Sequence, residues 1–263
     1  MAGGTAQEDP FRLDDRLIVV SGASRGIGEV LARAFARRGA HLLLAARSEP
    51  ALQLLRRDIV AQGGRAEFQV ADVTDLAQIE ALAARAAAIA DAAGLKLVAV
   101  NNAGVAHTQP ALEVSEAAYD QVMAVNLKGS FFACQKFGAQ MIPRGYGKII
   151  NLSSTWSVGT DAGKSVYCAA KAGISHLSAA LAVEWAPHGV RVCALAPTTT
   201  LTAPTQRGLE ANPERAARLL ARIPMGRFEQ AEDLVGAAIF LASAASDFYT
   251  GQTLFVDGGW SAR

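Results

Sequence analysis

A tyrosine and a lysine one helical turn apart could exchange a proton with a substrate. Tyr167 and Lys171 follow Ser154 by 13 and 17 residues. Side chains four residues apart project from the same face of a helix. A free phenol titrates near ~10, which is too high for efficient proton exchange at neutral pH. Because a neighbouring cation stabilises the phenolate, we expect Lys171 to lower the pKa of Tyr167, and the pair predicts general acid–base chemistry.

A glycine-rich turn near the start of the chain could hold phosphate groups. Gly22, Gly26 and Gly28 follow an apolar run and precede a segment with helical periodicity. Gly22 permits a tight turn, and the later glycines allow a pyrophosphate and the sheet to approach the backbone. The N-terminus of the helix then offers free N–H donors to the phosphates. This turn predicts dinucleotide binding, with the spacing Gly-x-x-x-Gly-x-Gly instead of the common Gly-x-Gly-x-x-Gly.

The end of the second apolar run indicates which dinucleotide binds. Sites specific for NAD usually place an acid there, against the ribose hydroxyls of the adenosine. This chain has Ala46 and Arg47 at that point and no carboxylate before Glu49, and Arg25 lies inside the glycine turn. Two guanidinium groups suit a 2′-phosphate, which arginine holds by paired hydrogen bonds. The sequence therefore favours NADP(H), with NAD(H) as the alternative.

The elements that must position these residues alternate along the whole chain. Short apolar runs without in/out alternation are typical of parallel strands that helices cover on both faces, and Ala-rich helical stretches separate them. The predicted strands are Leu17–Ser21, His41–Ala45, Phe68–Ala71, Leu97–Asn101, Lys148–Ser153, Val190–Ala196 and Thr253–Val256. We predict a flexible tail at residues 1–10 and, over residues 11–263, a single α/β domain of the doubly wound Rossmann type with seven parallel strands.

One long interruption separates the sixth predicted strand from the final helix–strand unit. It covers residues 198–227 and contains Pro204, Pro213 and Pro224 around a helical stretch, Glu214–Arg222. An insertion of this length beside the ends of parallel strands is typical of a segment that covers a substrate. We predict that residues 198–227 form a substrate lid.

Composition excludes several classes of function. The chain of 263 residues is 51% hydrophobic and has a net charge of +1 without a basic block, which argues against nucleic-acid and membrane-surface binding. The apolar runs are too short to span a bilayer, and the polar N-terminus lacks the apolar core of a signal peptide. Cys134, Cys168 and Cys193 are widely spaced in apolar contexts, so we expect buried thiols in a cytoplasmic protein, and neither disulfides nor a metal site.

Together these residues resemble the short-chain dehydrogenase/reductase family over nearly all of the chain after Phe11. The motifs that carry the resemblance are Gly22-x-x-x-Gly26-Ile27-Gly28, Asp72, Asn101-Asn102-Ala103-Gly104, Asn126, Ser154, Tyr167-x-x-x-Lys171, Pro197, Thr250-Gly251-Gln252 and Val256-Asp257-Gly258-Gly259. The resemblance implies a Rossmann-type oxidoreductase that transfers a hydride between a nicotinamide and a carbonyl or secondary alcohol.

The resemblance also implies the roles of individual residues. Tyr167 would be the general acid in ketone reduction, with Lys171 lowering its pKa and binding the nicotinamide ribose. Ser154 would hold the carbonyl oxygen, and Asn126 would anchor a water in a proton relay. Asp72 and Val73 would lie near the adenine. The full implied set for cofactor binding is Gly22, Ser24, Arg25, Gly26, Ile27, Gly28, Arg47, Asp72, Val73, Asn102, Ala103, Gly104, Tyr167, Lys171, Pro197, Thr200 and Thr202.

Two positions depart from the family pattern after the sixth strand. The family usually has Asn-x-x-x-Pro-Gly there, whereas this chain has Cys193 in place of the Asn and Thr198 in place of the Gly. The backbone beside the nicotinamide must therefore avoid conformations that only glycine tolerates.

The residues expected to face the substrate are mostly neutral. The predicted set that lines the substrate site is His107, Thr155, Trp156 and Leu201. His107 either binds a polar group of the substrate or faces water, and Trp156 is expected to form a wall of the pocket. Because no cluster of arginines is evident, we predict a small, neutral and moderately bulky ketone as the substrate.

Several functions stay open. The leading prediction is an NADP(H)-dependent carbonyl reductase or alcohol dehydrogenase. One alternative is a 3-oxoacyl-[acyl-carrier-protein] reductase with a protein partner. The other is a sugar-acid dehydrogenase similar to gluconate 5-dehydrogenase. Two segments of the chain resemble that branch of the family, Phe11-Arg12-Leu13 and Ala45-Ala46-Arg47-Ser48. A redox-sensing protein without turnover would not need both Tyr167 and Lys171. The resemblance further implies a homotetramer, or a dimer, built by helices at Ser115–Ile142 and Ser165–Ala186 and by the Gly258-Gly259-Trp260 end.

Overall fold

Seven runs rich in Val, Leu, Ile and Ala form one parallel sheet in the computed structural model, which describes residues 9–262. The strands are β1 (Arg16–Ser21), β2 (His41–Ala46), β3 (Arg65–Val70), β4 (Lys96–Asn101), β5 (Gly147–Leu152), β6 (Val190–Pro197) and β7 (Thr253–Val256). Their order in the sheet is β3-β2-β1-β4-β5-β6-β7, and all pairs are parallel. The predicted Rossmann-type fold with seven parallel strands is confirmed.

Nine α-helices in the described part of the chain cover the sheet and its carboxyl edge. They are α1 (Gly26–Arg37), α2 (Glu49–Ala61), α3 (Leu76–Ala93), α4 (Glu116–Met123), α5 (Gly129–Met141), α6 (Ser165–Trp185), α7 (Ala203–Glu210), α8 (Pro213–Leu220) and α9 (Val235–Ala242). A short π-helical turn, Ala124–Lys128, joins α4 to α5. Such turns occur frequently at functional sites, because they redirect the side chains and carbonyls around them.

Both faces of the sheet are buried, which explains why its strands read as continuous apolar runs. In β1, Ile18 and Val20 pack into a core with α1, α2 and α9, while Leu17 and Val19 pack on the opposite face with α3 and α5. Successive strand residues point to opposite faces, so a strand between two helical layers needs apolar residues at every position.

The largest difference from the predicted strand bounds occurs at the edge of the sheet. Strand β3 begins at Arg65, three residues before the predicted Phe68, and only Ala66 in it is buried. An edge strand is half exposed, and its polar residues interrupt the continuous apolar run from which a strand is predicted. The remaining strands match the predicted bounds within one residue at each end.

The predicted lid contains two helices. The predicted helical stretch Glu214–Arg222 corresponds to α8, whereas α7 lies in a part of the lid for which no helix was predicted. Thr202 caps the first turn of α7, where its hydroxyl accepts a hydrogen bond from the N–H of Thr205. Leu209 and Leu219 of the two helices pack in one apolar cluster with Trp156 and Trp260, so apolar contacts hold this segment on the domain.

Two further predictions concern the chain as a whole. Of the predicted tail, residues 1–8 lie outside the described residues, and Pro10 contacts the domain through its carbonyl, which accepts a hydrogen bond from Ala245 N. The expectation that no segment could span a bilayer is wrong by length and composition alone, since Ser165–His188 passes that test. This segment is α6 with the turn that follows it, and its buried face packs on β6.

Candidate active site

The carboxyl ends of the central strands surround a cavity of about 400 Å³. It lies where the chain leaves β1 in one direction and β4 in the other, the position at which doubly wound sheets bind ligands. Many predicted catalytic and cofactor-binding residues line it, namely Ile27, Asn102, Gly104, Ser154, Tyr167, Lys171, Pro197, Thr200 and Thr202. The structure thus brings Ile27 of the glycine turn and the predicted proton donor to one cavity, whereas Gly22, Gly26 and Gly28 do not line it.

Three of the four predicted catalytic residues lie just after β5 or on α6. Ser154 follows β5, and its Oγ donates a hydrogen bond to the carbonyl of Pro197 at 3.4 Å and accepts one from Trp156 N at 3.3 Å. Tyr167 and Lys171 lie in the first two turns of α6, and the Lys171 Nζ is 5.7 Å from the centre of the tyrosine ring. The Nζ donates to the carbonyl of Leu152 at 2.6 Å, which fixes the lysine at the end of β5.

The electrostatics of Tyr167 differ from the prediction. Burial raises the pKa of Tyr167 to about 12, and a hydrogen bond with Ser154 acts in the opposite direction. Burial also lowers the pKa of Lys171 to about 8. Lys171 directs its ammonium to the Leu152 carbonyl, and the expected lowering of the tyrosine pKa by this lysine is not found. In this structure the loss of hydration is the largest cause of the shift at both groups.

Asn126 lies in the π-helical turn and is fully buried. Its side-chain amide exchanges two hydrogen bonds with the backbone of Val105: Val105 N donates to Oδ1 at 2.8 Å, and Nδ2 donates to Val105 O at 2.9 Å. A Cβ on Gly104 would lie 3.0 Å from Asn126 Oδ1 and 3.8 Å from Lys171 Nζ, so the glycine lets the three groups approach one another. The amide is thereby committed to holding the segment after β4.

The glycine turn has no room for side chains. Gly22 has φ +66°, and a Cβ there would lie 2.8 Å from Asn102 Nδ2. Asn102 donates from Nδ2 to the carbonyls of Ser21 and Gly22, at 3.0 and 3.2 Å, which ties the loop after β4 to the loop after β1. Arg25 precedes α1 and makes no side-chain hydrogen bond to the first turn. The first N–H groups of α1 are therefore open to an anion, as a pyrophosphate requires.

The residues predicted to select the cofactor lie at the ends of β2 and β3. Arg47 is exposed, and its Nη1 is 3.9 Å from Asp72 Oδ2. Hydrogen bonds from Thr74, together with the charge of Arg47, lower the pKa of Asp72. Arg25 is also exposed. Both guanidiniums are accessible beside the turn, which suits them to hold a phosphate on the ribose.

The segment after β6 adapts to the missing glycine. Thr198 is buried. Its φ is negative, as is that of every other non-glycine residue described, so the backbone here has a conformation that threonine tolerates. Glu229, a residue that the sequence analysis missed, holds this segment: its backbone N donates to Thr199 O at 3.2 Å and its carbonyl accepts from Leu201 N at 2.7 Å. The Thr200 hydroxyl donates to its Oε2, while its Oε1 is buried without a hydrogen-bond partner among the described residues.

The buried carboxyl of Glu229 makes the stability of the protein depend on pH. Burial raises the pKa of Glu229 to about 7 from 4.5. Between these values the folded protein keeps the proton and the unfolded chain loses it, so the free energy of unfolding falls as the pH rises toward about 7. Glu229→Gln removes this dependence. We expect the difference in melting temperature, variant minus wild type, to increase by roughly 4–10 °C from pH 5 to pH 8.

Differential scanning calorimetry across that pH range measures the gain. Glu232→Gln, at an exposed neighbouring position, is the control. Its difference in melting temperature from wild type should not change with pH. Parallel melting curves for Glu229→Gln and wild type would contradict a buried carboxyl that titrates late.

Of the four residues predicted to line the substrate site, Trp156 lines the cavity. Thr155 is buried outside its lining, and Leu201 packs in the apolar cluster around Trp156. His107 does not line the cavity and contributes its backbone carbonyl, which accepts a hydrogen bond from Lys164 Nζ at 3.2 Å.

Two cations that the sequence analysis missed line the cavity. Lys164 is buried just before α6, and Arg215 lies on α8. The cavity is therefore not lined by neutral residues alone. Lys164 stands three residues before Tyr167, a spacing that could have placed it on the tyrosine's side of the helix. Arg215 had no such signal, because it reaches the cavity only through the packing of the lid.

A parallel sheet with a dinucleotide turn and a tyrosine–lysine pair at its carboxyl edge defines a nucleotide-binding oxidoreductase fold. The family model described as Enoyl-(Acyl carrier protein) reductase matches residues 22–261. The chain belongs to the short-chain dehydrogenase/reductase family, as its motifs indicated.

Similar proteins act on sugars, sugar acids and polyols, according to their names. The chain is 40% identical over 251 residues to a gluconate 5-dehydrogenase of Gluconobacter oxydans (95% of this chain, 96% of the relative). It is 42% identical over 253 residues to a galactitol 2-dehydrogenase (L-tagatose-forming) of Cereibacter sphaeroides (95% and 97%). A crystal structure of a gluconate 5-dehydrogenase from Burkholderia cenocepacia in complex with NADP and tartrate is 38% identical, with a TM-score of 0.90 over 97% of this chain and 98% of that one.

Proposed function

We propose that the protein is an NADP(H)-dependent oxidoreductase that interconverts a secondary alcohol and a ketone on a small polyhydroxylated substrate. The observation that carries this proposal is the arrangement of Ser154, Tyr167 and Lys171 around one cavity beside the glycine turn. The relatives named as gluconate and galactitol dehydrogenases support the polyhydroxylated class of substrate. This class includes the sugar-acid alternative and replaces the bulky neutral ketone as the leading substrate.

The residues of the chain would divide the reaction between them. A bound nicotinamide supplies or accepts the hydride. The Tyr167 hydroxyl would donate its proton to the substrate oxygen during reduction and take it back during oxidation. The Ser154 hydroxyl would donate a hydrogen bond to the same oxygen as negative charge develops on it. Ser154 and Tyr167 line the same cavity, so both hydroxyls would be directed to a single oxygen atom of the substrate.

Lys171 and Asn126 would position and resupply the proton donor. The short bond from Lys171 Nζ to Leu152 O holds the ammonium in the cavity wall, where its other N–H groups can bind a ribose hydroxyl. The Asn126 amide is committed to Val105, so a water of the proposed relay would bind the Asn126 backbone carbonyl, which already accepts from the Ser130 hydroxyl at 2.7 Å. A carbonyl has two lone pairs and can accept a second bond.

The preference for NADP(H) has both local and comparative support. Arg47 and Arg25 are accessible beside the turn, and the similar Burkholderia cenocepacia enzyme was crystallised with NADP. The open N-terminus of α1, the crowded glycines and the cavity suit a dinucleotide. NAD(H) is the alternative cofactor, because Arg47 also forms an ion pair with Asp72 and is then less available to a phosphate on the ribose.

One assay panel tests the proposal. The absorbance of NADPH is followed with 5-ketogluconate, L-tagatose, an acetoacetyl thioester, a cyclic diketone and an aryl ketone, and the same set is repeated with NADH. We expect the highest kcat/KM with NADPH and a polyhydroxylated ketone. Turnover of the thioester alone would overturn the proposal in favour of a 3-oxoacyl-[acyl-carrier-protein] reductase, and cofactor binding without any turnover would indicate a redox sensor.

We also propose that the protein is a cytoplasmic homotetramer. The support for the assembly is a set of exposed apolar side chains on the helices expected to form the interface: Tyr119 on α4, Phe131 on α5 and Val183 on α6, which are 46%, 41% and 81% exposed. Such residues are typical of surfaces that a partner covers. We expect sedimentation at four times the 27.4 kDa chain mass. A monomer at micromolar concentration would contradict the assembly.

The three free thiols suit a reducing compartment.

A further inference from the structure

We propose that Lys164 and Arg215 bind a carboxylate of the substrate, so that the preferred substrate is a hydroxy or oxo acid and not a neutral polyol. The inference rests on the proposed function, because it concerns the same cavity and the same reaction. The names of the relatives do not decide the question, since they include both acids and neutral polyols.

Lys164 is held in place with part of its hydrogen-bonding capacity unused. Its Nζ donates to Thr108 Oγ1 at 2.6 Å and to His107 O at 3.2 Å, and it lies 5.5 Å from the centre of the Tyr167 ring. An ammonium has three N–H donors, so one is left for a ligand in the cavity that Lys164 lines. The ammonium is thus fixed close to the proposed proton donor.

No negative charge in the cavity balances Lys164. The side chain is 6% exposed, and within the described range, residues 9–262, it forms no ion pair and no Asp or Glu lines the cavity. Burial lowers the pKa of Lys164 to about 8, and the charge of Arg215 acts in the same direction, whereas Cys168 and Asp161, which do not line the cavity, act in the opposite direction. A buried cation without an ion-pair partner is unfavourable. A bound carboxylate would supply the missing charge.

Arg215 provides the second cation from the lid. Its backbone N bonds to Asn212 Oδ1 at the start of α8, and its guanidinium has no ion pair among the residues described. Arg218, one turn further along the same helix, pairs instead with Glu214 at 3.4 Å. A guanidinium offers paired donors to a carboxylate, so Lys164 and Arg215 could bind its two oxygens together.

The cofactor phosphates are expected at a different end of the cavity. The glycine turn faces the start of α7, since a Cβ on Gly26 would lie 3.1 Å from Thr202 Cγ2. Lys164 instead contacts residues 107–108, which follow β4, and Arg215 belongs to α8. The two cations therefore suit the substrate better than the pyrophosphate.

The test compares an acid with a neutral polyol in matched variants. The kcat/KM of NADP-dependent oxidation is measured with gluconate and with galactitol for wild type, Lys164→Gln, Arg215→Met and Arg218→Met. Gln keeps a donor for Thr108 and His107 O but removes the charge. We expect the acid-to-neutral ratio of kcat/KM to fall at least ~10-fold in Lys164→Gln and Arg215→Met, mainly through KM. Arg218→Met, which changes a cation of the same helix outside the cavity, should keep the wild-type ratio.

Binding and pH provide readouts that a structural role would not change. Tartrate should quench the tryptophan fluorescence of wild type, since Trp156 lines the cavity, and bind at least ~10-fold more weakly to Lys164→Gln. The wild-type ratio of acid to neutral kcat/KM should fall as the pH rises above about 8, where Lys164 loses its proton.

The outcomes separate this inference from the proposed function. Oxidation of galactitol and gluconate with a ratio that the variants leave unchanged would overturn the carboxylate site while the proposed function stands. Absence of turnover with either substrate would overturn the proposed function. In that case weaker binding of tartrate to Lys164→Gln would still support the anion site, and equal binding would overturn it.

Discussion

Replacing Tyr167 with Phe is expected to lower kcat by at least ~10²–10⁴-fold, because it removes the hydroxyl that would transfer the proton to the substrate oxygen. The phenylalanine ring keeps the packing in the apolar cluster with Trp156 and Cys168, so the fold and the dinucleotide turn should persist. NADPH binding should therefore stay within about threefold of wild type. Steady-state kinetics with the best ketone of the panel, together with titration of NADPH fluorescence, measures both effects.

A second tyrosine provides the control for this experiment. Tyr249 packs edge-on against Phe240 and does not line the cavity. Tyr249→Phe removes the same atom elsewhere and should leave kcat near the wild-type value. Undiminished turnover in Tyr167→Phe would contradict the proposed mechanism. A parallel loss of NADPH binding would instead assign the hydroxyl a role in holding the cofactor.

The sequence predicted those parts of the fold and site that depend on local spacing. The continuous apolar run of β1 indicated a strand buried on both faces, and Ile18 and Val19 pack on opposite faces as required. The spacing of Tyr167 and Lys171 predicted that both would project from one helix, and both line the cavity. These inferences succeed because backbone geometry alone relates neighbours in a helix or a strand.

The missed parts depend on packing between distant segments. Glu229 reaches Thr200 from 29 residues away, and Arg215 reaches the cavity through the lid. No periodicity relates such positions. The pKa of Tyr167 differs from the prediction for the same reason. Burial of the phenol by surrounding groups, and not only the charge of Lys171, determines that pKa.

The two cations of the cavity could not be predicted for a related reason. They lie outside the positions at which the family usually contacts its substrate, and they do not form a cluster in the sequence. Lys164 and Arg215 are 51 positions apart in the chain and come together only in three dimensions. In the proposed site, the two cations that would bind the substrate therefore lie outside the family motifs, which supply the reacting groups.

Gly28→Ala is expected to lower both stability and cofactor affinity. A Cβ at Gly28 would lie 2.5 Å from Asn102 Nδ2 and still closer to the carbonyl oxygen of Gly22, so the backbone of the turn would have to move. Forcing a methyl group into a packed region typically costs about 1–3 kcal/mol, and here it displaces backbone. We expect the melting temperature to fall by roughly 4–8 °C and the Kd for NADPH to rise at least ~10-fold.

The matched control is another helical glycine. Gly236 is exposed in α9, and a Cβ there would have no atom within 4 Å. Gly236→Ala should raise the stability by roughly 0.5–1 kcal/mol, because alanine loses less backbone entropy on folding, and should leave the Kd for NADPH unchanged. If the turn is crowded, calorimetry gives opposite shifts in melting temperature for the two variants, and fluorescence titration gives a raised Kd for Gly28→Ala alone. If Gly28→Ala melts and binds as Gly236→Ala does, the glycine is not needed for the close approach of α1 to the loop after β1.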